Sequence, residues 1–195
     1  MPVRLLLVAA PLAGSGLAEA LFRGVPATVV RPETLRVADP WRGELFDLIE
    51  GAAGDGEPVV AAAPAVGLLV PMVWLAAAPA PELAIVADHV NTRLRGPLTG
   101  RRPASGPRRR GPQPFPSLAG LYQPETIRRA VGRRVYSVVA VAGVTRAQHL
   151  TPFERRAVAA AGCAAACDCL VDAAVIAALH GLKVAACGVP DGRRT

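Results

Sequence analysis

Two kinds of apolar spacing alternate along the chain. Short unbroken runs at Arg4–Ala10, Val70–Ala76, Leu83–Ala87, Val135–Ala142 and Leu182–Gly188 have the length and branched-residue content of buried strands. The run VYSVVAVA at 135–142 is the clearest, and it is expected to be buried on both faces. Ala164–Cys169 adds a short strand. Between these runs the apolar positions recur at helical intervals. Helices are predicted for Leu17–Phe22, for Trp41–Gly51 with Leu45, Leu48 and Ile49 on one face, and for part of Leu118–Arg134. The best defined is Thr151–Gly162: Thr151 caps it, Pro152 takes the first position, Glu154 lies three after the cap, and Gly162 ends it. A further helix runs Val171–His180 and closes at Gly181. The Ala-rich residues 59–69 read as helical in spite of Pro64, and Gly54-Asp55-Gly56 reads as a turn. This alternation predicts an α/β domain with a mixed, mostly parallel central sheet flanked by helices. Residues 1–195 form one domain in this reading, with an Arg/Pro/Gly-rich loop at 92–116.

Composition narrows the class. With 52% hydrophobic residues the 195-residue chain can bury a sizeable core and is not disordered throughout. Its net charge of +7 comes from one place. Arg93, Arg95, Arg101, Arg102, Arg108, Arg109 and Arg110 crowd one loop without an acid, and outside it cations and anions balance. Nucleic acid is not the expected partner of that loop, because only 4% of the residues are aromatic and none interleaves with these arginines to stack bases. Cys163, Cys167, Cys169 and Cys187 lie in an Ala-rich setting and are expected to be reduced and buried. Their spacing lacks the paired C-x-x-C pattern of a structural zinc site, so neither metal nor cofactor is expected. The first twenty residues mimic a signal peptide but read equally as strand, glycine turn and helix. Residues 59–81 are apolar enough for a membrane span, but Pro64, Pro71, Pro79 and Pro81 divide them. A cytoplasmic protein without membrane contact is the expectation.

Three blocks carry a resemblance to a known family. LAIVADHVN followed by LRGP is similar to a strand ending in D-H-I-N with its L-R-G-P loop. FPSLAGLYQPETIRRAV at 115–131 is similar to F-P-x-M-x-x-x-Y and its trailing helix. TPFERRAVAAAGC, with VIAALHGLKVAACGV after it, is similar to the T-P-A-E-x-R-x-L-x-x-L-G-A helix and the alternating segment before G-L-K-V-A. These patterns belong to the trimeric purine nucleoside phosphorylases and methylthioadenosine phosphorylases, and GSGLAEAL resembles their G-S-G-L phosphate loop. The resemblance implies a nucleoside phosphorylase-like fold, a pentosyltransferase that splits an N-glycosidic bond with phosphate, a nucleoside-like substrate and a homotrimer. Such chemistry needs an anion site, a donor to the leaving base, and an acceptor for the base edge.

The resemblance places Ser15 and Gly16 at phosphate, and Tyr122 at substrate or in a structural role. Asp191 occupies the place of a base-binding asparagine. Asp88, His89 and Asn91 build the loop between site and subunit contact: Asp88 accepts loop N–H bonds, His89 packs or bridges subunits, and Asn91 pins the turn. Much of the family pattern is absent. Leu150 replaces the base-reading glutamate, Asp168-Cys169-Leu170 replaces M-S-T, Ala173 stands for a helix glutamate, and R-x-H-x-Y-E-G-Y has no counterpart. His149, Asp168 and Cys169 instead bring titratable groups to the pocket and are the candidate acid–base or nucleophilic residues. Two functions follow as expectations: an enzyme of altered chemistry on a nucleoside-like molecule, or a non-catalytic homologue serving as an oligomeric partner.

Overall fold

The computed structural model describes residues 65–93, 96, 116–179 and 181–191, together with residue 12 and the backbone of 3–8 and 28–29. The sequence-based helices at 17–22 and 41–51, the turn at 54–56 and most of the arginine loop lie outside the described residues. Among the described residues there are seven strands: β1 Val3–Val8, β2 Thr28–Val29, β3 Ala65–Trp74, β4 Leu83–Asn91, β5 Tyr136–Gly143, β6 Ala165–Cys167 and β7 Lys183–Pro190. Helices α1 Pro124–Val131, α2 Pro152–Ala160 and α3 Leu170–Leu179 alternate with the later strands, and a 3₁₀ turn covers Ala147–His149.

The sheet has the order β2-β1-β3-β6-β5-β4-β7, and β7 pairs back onto β3. Five strands, β3, β6, β5, β4 and β7, therefore close into a mixed barrel, and β1 and β2 extend from one edge of β3. The mixed, mostly parallel sheet expected from the sequence is thus closed on itself. Parallel pairing dominates all the same: β4, β5 and β6 run together, β3 and β7 run together, and the two groups meet antiparallel at β3–β6 and β4–β7. Closure leaves the five strands no common open edge.

β3 shows why the 59–69 reading needs correction. Ala65 to Leu69 belong to the strand, which continues through Pro71 to Trp74. One side of β3 pairs with β1 as far as Leu69 and with β6 from Val73. Pro71 sits in the gap between these two neighbours, where a missing N–H costs least. Its burial is nearly continuous because both faces are covered.

β5 departs from its expectation in the other direction. Val139, Val141, Ala142 and Gly143 are buried, but Val138 is 47% exposed, and Val135 just before the strand is 63% exposed. A closed barrel hides only its inner face, and among the described residues no helix covers the outer side of this first half.

The helices form where local chemistry directs. In α1 Ile127 and Val131 share a buried face while Arg128 and Arg129 stay in water. Thr151 and Glu154 make a complete capping box at α2: the Glu154 N–H donates to Thr151 Oγ1 at 3.2 Å, and the Thr151 N–H donates to Glu154 Oε2 at 2.7 Å. α3 is the core helix. Leu170, Val171, Ala173, Ala174, Ile176 and Ala177 are buried, so its own periodicity is weak. Among the described residues no helix is long and apolar enough to cross a membrane.

Candidate functional site

The parallel strands β4, β5 and β6 end side by side, the usual place for ligands in α/β folds. Leu83 to Val86 of β4 are buried, and the register to β5 then slips between Val86 and Asp88. Past that bulge β4 runs on through Asp88 and His89 to Asn91, longer than the sequence-based Leu83–Ala87. Beyond it, Thr92 ties β4 to β5, with its N–H and hydroxyl both donating to the Gly143 carbonyl at 3.0 and 2.9 Å.

Each polar residue here has a defined partner. Asp88 Oδ1 accepts the His89 N–H at 2.8 Å. Asn91 Oδ1 accepts the Arg93 N–H at 3.1 Å and its Nε–H at 3.3 Å, an Asx-type turn. The other two guanidinium nitrogens of Arg93 donate to the two oxygens of Asp172 at 2.8 and 2.5 Å. This bidentate pair is largely withdrawn from water, at 13% and 14% side-chain exposure, and it ties the segment after β4 to the first turn of α3. Sequence reasoning missed Asp172. The resemblance pointed one residue further, to the buried Ala173, and no local signal links positions 79 residues apart.

His89 Nδ1 and Tyr122 Oη lie 2.7 Å apart with their rings edge to face. Burial pushes the Tyr122 phenol far up, so Tyr122 keeps its proton. Burial lowers the His89 pKa below its ordinary 6.5; Asp88 opposes this shift and Arg93 adds to it. The unfolded chain therefore takes up the proton first as pH falls. Stability associated with neutral His89 is full above about pH 6.5 and declines as pH falls through the lower folded value. Urea titrations from pH 7.5 to 5 are expected to show this decline in the parent protein and a flatter profile in His89→Gln.

The β6 end carries Cys167, Asp168 and Cys169. Both cysteines are buried, their sulfurs are 3.5 Å apart, and Asp168 between them is exposed. The shared S–H···S bond, with burial behind it, holds Cys169 well above the ordinary thiol range, which is unsuitable for a nucleophile. His149 ends the 3₁₀ turn and is exposed, and its backbone N–H donates to the Arg146 carbonyl. Among the described residues no hydrogen bond joins it to Asp168 or Cys169. Asp191 is held elsewhere, its N–H on the Met72 carbonyl at 2.6 Å and its carboxylate accepting from Gln148 at 3.1 Å. Ser15 and Gly16 lie outside the described residues.

At the strand ends, among the described residues, the exposed Asp168 carboxylate follows β6 and Asp172 fills the Arg93 fork, while Asp88 lies three residues before the end of β4. Such an edge accepts hydrogen bonds from hydroxyl and N–H groups and has little to offer an anion.

No protein-family model matches the chain, and no curated protein matches it in sequence. Solved structures do match in fold. The isoform 2 purine nucleoside phosphorylase of Schistosoma mansoni, in complex with cytosine and ribose-1-phosphate, superposes with a TM-score of 0.69 at 13% identity, over 97% of this chain and 76% of that one. The purine nucleoside phosphorylase of the same organism complexed with a monocyclic inhibitor gives 0.66 at 14% identity, over 97% and 80%. Its adenosine complex gives 0.54 at 17% identity over 64% of this chain, which there spans about half of the enzyme, 47%. At these identities the likeness concerns architecture, and it establishes a nucleoside phosphorylase-like fold.

Proposed function

We propose that this chain is a divergent relative of the purine nucleoside phosphorylases that binds a nucleoside or nucleoside-like small molecule at the ends of β4, β5 and β6, with altered chemistry. One observation supports the reading: in a phosphorylase-like fold, the exposed Asp168 carboxylate follows β6 beside the ends of β4 and β5, suited to accept from a sugar hydroxyl or base N–H. Asp168 is the exposed carboxylate placed to accept from the ligand, and Asp88 and Asn91 hold the β4 end in shape. His149 is the remaining candidate acid or base, and Asp191 a candidate base contact at the β7 end. Tyr122 acts through His89 as a positioning residue. Cys169 belongs to the core in this reading. Any phosphate would depend on the Ser15-Gly16 loop, because Arg93 is neutralised by Asp172. A homotrimer, by likeness to the family, belongs to the same proposal.

The locked thiol and the neutralised arginine also support a second reading, a non-catalytic homologue that keeps the fold and acts as an oligomeric partner. Incubation with inosine or methylthioadenosine, with and without phosphate, separates the two. The enzyme reading expects free base to be released, with Asp168→Ala at least about tenfold slower, on the scale of losing a positioned acid–base group. Absence of free base from every nucleoside, alongside retained binding, would leave the second reading standing.

A further inference from the structure

We propose that Cys167, Asp168 and Cys169 form a binding site for a soft divalent metal ion of zinc's class. The two sulfurs are 3.5 Å apart, and the Asp168 carboxylate completes a set whose ligand atoms all lie within 4.8 Å of one another. Zinc–sulfur bonds of about 2.3 Å meeting at a tetrahedral angle put two sulfurs about 3.8 Å apart. The observed separation is within a few tenths of an ångström of that bite, so the thiols need almost no rearrangement to chelate. Two sulfurs and a carboxylate select zinc or cadmium over calcium or magnesium, which prefer oxygen alone. Three protein ligands leave a fourth position open. Of the three ligands, Asp168 is exposed, Cys169 slightly so and Cys167 not at all.

The sequence rules for zinc miss this arrangement because they look for C-x-x-C, in which both ligands lie on one turn. Here the ligands are alternate residues, brought together where β6 ends at Cys167 and α3 begins at Leu170. Metal binding replaces the thiol protons, which pass to solvent, and converts the shared S–H···S contact into two metal–sulfur bonds. Cys163 and Cys187 are buried outside this set and take no part. The inference does not depend on the nucleoside reading.

The test uses the full chain, kept reduced with a phosphine and titrated with cadmium chloride. Ultraviolet thiolate-to-metal absorption is expected to saturate at one equivalent and to be displaced by zinc. Cys167→Ala and Cys169→Ala are each expected to abolish the band. Asp168→Asn should weaken binding by about tenfold or more, on the scale seen when a carboxylate supporting a metal site is removed. Cys163→Ala and Cys187→Ala should leave the band intact. The proposal is overturned if folded parent protein gives no one-to-one band, or if the Cys167→Ala/Cys169→Ala double variant, folded by circular dichroism, binds as well as the parent.

Discussion

Replacing Asp172 by alanine is expected to destabilise the protein by about 3 kcal/mol, measured by urea denaturation at neutral pH. The variant leaves the Arg93 guanidinium largely buried, with two of its nitrogens facing no acceptor. Stranding a charge in this way costs more than the pair contributes, because the desolvation of Arg93 is no longer offset. The figure is at the low end for buried pairs since each side chain keeps some contact with water. Replacing both partners by apolar residues, Arg93→Met with Asp172→Leu, is expected to recover most of the loss. Equal destabilisation in the single and double variants would show that the pair has no such role.

Gly143→Ala is the second large effect, expected at about 1–3 kcal/mol, the usual cost of overpacking a core. Gly143 ends β5, and a Cβ there would overlap the Val171 side chain at the start of α3. Val171 is fully buried and β-branched, so it has no alternative rotamer into which to retreat. α3 must shift, and the shift is transmitted to Asp172 and to the Cys167–Cys169 pair beside it. Adding Val171→Ala to Gly143→Ala should restore part of the stability, a non-additivity expected of direct neighbours. Gly188 poses the same problem against Met72 across the β3–β7 pairing, where a Cβ would overlap the thioether. The longer, unbranched Met72 can bend, so Gly188→Ala should cost less than Gly143→Ala. Both effects are read from thermal or urea midpoints.

The local elements were legible where their signals are local. Thr151, Pro152 and Glu154 announce α2 within four residues, and the structure has the full capping box there. The β4, β5 and β7 runs lie within a few residues of their predicted positions for the same reason. The start of β3 was missed because Ala65 to Leu69 lie in an Ala-rich stretch that reads as helix, and the pairing with β1 and β7 that makes it a strand is a property of the assembled sheet. Barrel closure is likewise invisible in a linear pattern, since it rests on β7 returning to β3. Asp88, His89 and Asn91 stood out as an unusual cluster at a strand end. The partners that define them, Tyr122 for His89 and Asp172 for Arg93, are 33 and 79 residues away. The cysteine pair was legible as buried thiols, but the sulfur–sulfur distance was not.

The most direct measurement of the central claim is a calorimetric titration of the full chain with inosine, adenosine and methylthioadenosine, with and without phosphate. A ligand site at the β4, β5 and β6 ends that uses Asp168 predicts saturable one-to-one binding of at least one nucleoside, little changed by phosphate and lost in a folded Asp168→Ala variant. No binding of any nucleoside to the folded parent protein, or binding undiminished in Asp168→Ala, would contradict it.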